Sequence, residues 1–125
     1  MRNVNPLSNE IIGAHAWAIP ESLIPSARNG NGAGPPPEEV VSLLNAGGAH
    51  AHVEITILFD DRDPTGPYQV VVPALRTLRL RFSDLADSES IPRDTPYAAV
   101  IESDEPIVVQ RGLPLSPVPQ IQVVQ

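Results

Sequence analysis

Fifteen prolines are spread from Pro6 to Pro119, and they leave no long proline-free stretch with helical periodicity. A proline inside a helix removes a backbone donor and clashes with the preceding turn, so the chain is expected to build an all-β domain of short strands. Its 125 residues fit one domain, and a domain of that size buries roughly two thirds of its unfolded surface.

The clearest strand signal lies in residues 50–57, where Ala51, Val53, Ile55 and Ile57 alternate with His50, His52, Glu54 and Thr56. A period of two with β-branched residues buries one row and leaves the other polar. The step Asn45-Ala46-Gly47-Gly48 is expected to supply positive-φ positions that fold a strand over 39–44 back against 50–57. Asn45 itself is expected to brace that turn by bonding its own backbone.

Other strands are expected over 15–19, stopped by Pro20, over 68–72 after a polar turn at 60–67, and over 76–82 with Leu78, Leu80 and Phe82 inward. Residues 97–102 and 107–110 are expected to form a hairpin across Ser103-Asp104-Glu105-Pro106. The pattern predicts a single-domain β-sandwich or jelly-roll-like barrel of about seven or eight antiparallel strands over 15–111. A flexible arm over 1–14 precedes it, and a proline-rich extended tail over 112–125 follows. The Gly- and Pro-rich segment 25–37 reads as a mobile loop, and 83–96 as an acidic one.

Cysteine is absent, which excludes disulfide and thiolate chemistry. Eight arginines and no lysine against fifteen acids give a net charge of −7, and such a protein repels phosphate backbones, so DNA is a disfavoured partner. The first fourteen residues lack the apolar core of a secretory signal, and no apolar run approaches membrane-spanning length. A soluble, cytoplasmic protein without membrane insertion is the expectation.

Further residues support a more specific reading. Trp17-Ala18-Ile19 with Glu21 and Ile24-Pro25, then Leu44-Asn45-Ala46-Gly47, Ala51-His52-Val53-Glu54-Ile55-Thr56-Ile57, Gly66-Pro67-Tyr68, Val72-Pro73-Ala74, Arg81-Phe82 and Asp84-Leu85 follow in order. Ile91-Pro92, Asp94-Thr95 and Pro106-Ile107-Val108-Val109-Gln110 complete the series. In order and spacing this closely resembles the sensory rhodopsin transducer family of small soluble bacterial proteins, over about residues 16–110.

The resemblance implies a compact all-β sandwich that assembles as a homotetramer. It also implies relay of a signal from the cytoplasmic face of a membrane receptor, or a broader role in binding a carbohydrate-like small molecule. The 29–37 loop is bulkier than the family pattern, and nothing after Gln110 aligns.

Candidate site residues follow from the strand faces. His50, His52 and Glu54 share one face at a spacing that presents two imidazoles and a carboxylate to one metal, though a polar sheet face or subunit contact is the preferred reading. Arg76, Arg79 and Arg81 form a cationic stripe whose forks suit carboxylates or phosphates, with pairing to Glu54, Asp84 or Glu102 as the plainer alternative. Trp17, the only tryptophan, is either a core plug or an aromatic platform beside Glu21. The candidate ligand or partner contacts are therefore Trp17, Glu21, Asn45, His52, Glu54, Arg79 and Arg81. No catalytic motif and no cofactor-binding motif is present, so a non-catalytic binding protein is expected.

Overall fold

The computed structural model describes residues 10–26, 38–85 and 91–113. The tail beyond 113, the 29–37 loop, residues 86–90 of the acidic loop and most of the N-terminal arm lie outside the described residues. Six strands are found: β1 (Ala14–Ser22), β2 (Val40–Asn45), β3 (Ala51–Leu58), β4 (Thr65–Val72), β5 (Arg76–Leu80) and β6 (Tyr97–Gly112). A single 3-10 turn, Phe82–Asp84, is the only helical element among the described residues. The all-β antiparallel class expected from the prolines and the alternation is the one observed.

The organising strand is β6, sixteen residues long. Its first half pairs with β1 on one side and β3 on the other, placing Ile101 between Trp17 and Ile55. Its second half pairs with β2, from Val108 opposite Leu44 to Gly112 opposite Val40. β4 extends the sheet from β3 and β5 extends it from β2, giving the order β4-β3-β6-β2-β5 with β1 also on β6. One strand thus belongs to both layers, and their inward rows meet in one apolar cluster that includes Leu43, Val53, Ile55, Ile57, Val70, Val72, Leu80, Ile101 and Ile107. The β3 alternation is reproduced residue by residue, with Ala51, Val53, Ile55 and Ile57 buried.

Four expectations are corrected. The hairpin at 103–106 does not form, so the described residues hold six strands where seven or eight were expected. Ser103 Oγ accepts the Glu105 N–H at 3.3 Å, and Asp104 is engaged by β3, so the turn-forming side chains make their bonds without reversing the chain. Pro106 is buried within the strand. Secondly, β2 does not fold back on β3; both run antiparallel to β6, one after the other, and the Asn45 turn carries the chain between layers.

That turn is also not where the left-handed backbone lies. The described positive-φ residues are Gly13, Gly66, Leu75 and Asp94. Finally, Pro20 does not stop β1, which continues to Ser22 through an irregular step after Ile19. A strand paired only to β6 tolerates a residue without an amide donor. Two smaller shifts accompany these. Thr65, Gly66 and Pro67 belong to β4 rather than to the preceding turn. Phe82 is buried as expected, but from the 3-10 turn rather than from β5.

Candidate functional site

The pleat of β3 sends His52, Glu54 and Thr56 to the outer side of the β1-β6-β3-β4 layer, and the register adds neighbours on both flanks. Glu54 lies opposite Glu102 of β6 and Gln69 of β4, while Glu102 lies opposite Ala16 of β1. His52 lies opposite Val71. A shallow hollow of about 520 Å³ opens over this face, lined by His52, Glu54, Gln69, Val71, Glu102 and Asp104 among others.

The hollow has one fixed corner. Asp104 Oδ1 accepts the His52 backbone N–H at 2.7 Å, and Oδ2 lies 2.9 Å from His52 Nδ1. A carboxylate only accepts, so Nδ1 carries the proton in this pair. Partial burial pushes the Asp104 carboxyl upward, but the His52 N–H and imidazole outweigh it and hold the group below the ordinary carboxylate value. From β1, His15 Nδ1 donates to the Ser103 carbonyl at 3.1 Å. Ser103 and Asp104 of β6 are therefore held by an imidazole from each neighbouring strand.

The remaining candidates lie elsewhere. Trp17 faces the other side of the layer, half-buried against the core, with Nε1 donating to the Ile107 carbonyl at 2.8 Å. Asn45 is fully buried; Nδ2 donates to the Ala49 and Val72 carbonyls at 2.8 and 3.0 Å, and Oδ1 accepts the Gly47 N–H at 3.0 Å. Glu21 is exposed at the end of β1, where its carbonyl accepts from Arg111.

Arg79 sits on β5 opposite Ser42, in a small hollow it shares with Gln110 and Arg111. Arg81 has left the strand and pairs with Asp84 at 3.4 Å. The arginine stripe is thus on the β2-β5 side, away from Glu54 and Glu102. Of the seven candidates, only His52 and Glu54 line that hollow.

His50 and His52 are held by different partners. His50 Nδ1 accepts the Ala74 N–H at 3.1 Å, and His52 Nδ1 is committed to Asp104. Among the described residues no group of three or more His, Cys, Asp or Glu is placed to hold a metal ion. Glu102, Gln69 and Asp104 were not among the candidates. The parity of 97–102 marks Glu102 as outward, but only the register of β6 against β3 places it beside Glu54.

Comparison with known proteins agrees with this architecture. A family model described as Anabaena sensory rhodopsin transducer matches residues 12–113. A solved structure of the Anabaena sensory rhodopsin transducer is 51% identical, with a TM-score of 0.71, over 82% of this chain and 99% of that one. The crystal structure of Thermotoga maritima 1070 is 30% identical, with a TM-score of 0.66, over 79% of this chain and 78% of that one. No curated protein matches.

Proposed function

The chain belongs to the Anabaena sensory rhodopsin transducer family, and from that premise we propose that it is a non-catalytic signal transducer acting through protein contacts as a homotetramer. Its input is the cytoplasmic face of a sensory rhodopsin-type membrane receptor, and it works as a soluble cytoplasmic protein. The observation that carries this reading is the 51% identity over nearly the whole of the solved relative. No helix among the described residues is long and apolar enough to cross a membrane, in keeping with a partner that meets its receptor from outside the bilayer.

In this reading the β domain over 15–111 carries the recognition surfaces, with 1–14 and 112–125 as accessory segments. His52 and Glu54 contribute to the partner contact, and Arg79 to a second, cationic surface on β5. A carbohydrate-like ligand is the weaker reading, because Trp17, Glu21, His52, Glu54 and Arg81 do not converge on one hollow.

Two measurements test the proposal. Light scattering in solution should return four times the mass of the 13.4 kDa chain. Vesicles carrying a sensory rhodopsin in known orientation should co-sediment the protein, and receptor-free vesicles should not. A monomer in the first experiment removes the tetramer, and equal sedimentation in the second removes the receptor.

A further inference from the structure

The outer row Ala16, Glu102, Glu54 and Gln69 crosses four registered strands. Glu54 and Glu102 stand directly opposite each other, both exposed. Like charges so placed destabilise a sheet pair. Asp104 adds a third carboxylate to the same hollow.

Among the described residues no arginine lines that hollow, and the chain has no lysine. Arg62 pairs with Asp61, Arg81 with Asp84 and Arg111 with Glu39, while Arg93 donates to the Pro25 carbonyl. Arg76 and Arg79 are on β5, in the other layer. Beside the carboxylates, Val71 is 45% exposed, an apolar strip on which the aliphatic stem of a long cationic side chain can lie while its head meets a carboxylate.

We propose that this face docks an extended Lys/Arg-rich segment of a protein partner. The identity of that partner rests on the transducer reading. Cytoplasmic loops of membrane proteins carry an excess of Lys and Arg close to the bilayer. The cytoplasmic leaflet is itself negative and opposes the approach of a chain of net charge −7. A basic loop projecting from the membrane supplies counter-charge, relieves the Glu54–Glu102 repulsion, and draws the protein to the receptor rather than to lipid.

The test uses the full chain and a labelled peptide of alternating Arg and Ala, about eight residues long and so able to cross the strands of the layer, followed by fluorescence anisotropy. The double variant E54Q/E102Q should lose at least about tenfold in affinity, and binding to the unaltered protein should weaken as salt is added. The control D60N/D63N removes two charges from the exposed β3–β4 loop and should change affinity by less than about twofold. Equal losses in the two variants, or none in E54Q/E102Q, overturn the proposal. Removing the like-charge pair should also raise the thermal midpoint by about 1–5 °C, so weaker binding by E54Q/E102Q is not a folding defect.

The same variants against the receptor separate this proposal from the reading beneath it. A receptor that binds E54Q/E102Q as well as the unaltered protein overturns the docking face and leaves the transducer reading standing. A receptor that binds neither form, while peptide binding still depends on Glu54 and Glu102, overturns the transducer reading and leaves the face.

Discussion

Asp104 holds His52 through both of its oxygens, one on the backbone N–H at 2.7 Å and one on Nδ1 at 2.9 Å. The contact ties β3 to β6 where β6 leaves one layer for the other. Both side chains are more than half exposed, so water screens the ionic part and the fixed hydrogen bonds carry most of the effect. Asp104→Ala is expected to cost about 0.5–1 kcal/mol at neutral pH. The Asp104 carboxyl is held lower in the folded protein than in the unfolded chain, so its stabilisation is present above the ordinary carboxylate pKa and fades as pH falls through the folded value. Denaturant melts of both proteins should therefore show a gap that narrows as the pH falls below about 4.

Gly13 and Trp17 grip Ile107 from the β1 side. A Cβ on Gly13 would lie 2.3 Å from the Ile107 carbonyl oxygen, and Gly13 has φ +103°. Gly13→Ala combines a backbone collision with a left-handed conformation, and a loss of about 2 kcal/mol or more is expected in chemical denaturation. Trp17→Phe keeps most of the apolar area but strips the Ile107 carbonyl of its indole donor, for an expected loss of about 1–2 kcal/mol. Equal stability of Gly13→Ala and the unaltered protein would show that β1 does not dock as described.

Asn45 is the one fully buried polar side chain among the described residues, and its three hydrogen bonds join the end of β2 to the turn and to β4. Asn45→Ala leaves two carbonyls and one amide to find new partners, and the buried Val72 carbonyl and Gly47 amide cannot turn to water. The expected cost is about 2–4 kcal/mol, read as a lower denaturation midpoint with an unchanged m-value.

Tyr97 is buried, and burial pushes its phenol from 10.0 up to about 12 despite the nearby Ser22 hydroxyl. A phenol that ionises less readily in the folded protein stabilises it fully below pH 10, and that contribution disappears as pH rises through about 12. Absorbance titration should show one tyrosinate appearing together with alkaline unfolding. In Tyr97→Phe that coupled step should be absent, while stability at pH 7 changes by about 0.5–1.5 kcal/mol.

The parts of the fold visible in the sequence are those decided locally. The β3 alternation is a property of consecutive residues, and burial follows it without exception over Ala51, Val53, Ile55 and Ile57. What β6 does is decided by partners far away in the chain. Ser103, Asp104, Glu105 and Pro106 have turn chemistry, but β1 and β3 clamp the strand on both sides with His15 and His52, and the chain runs on.

The candidate site follows the same division. His52 and Glu54 are legible because strand parity puts them on one face. Glu102, Gln69 and Asp104 are not, because only register brings them to that face. The arginine stripe divides the same way: Arg81 meets Asp84, one of the acids offered for it and close by in sequence, whereas a layer change separates Arg76 and Arg79 from Glu54 and Glu102.

We propose that this chain receives its signal by contact with a sensory rhodopsin-type receptor. Calorimetric titration of the chain into purified receptor in nanodiscs, with the cytoplasmic face open, tests that contact directly. Saturable heat that weakens with added salt is the predicted result. Heat indistinguishable from that of empty nanodiscs, at every salt concentration, would contradict it.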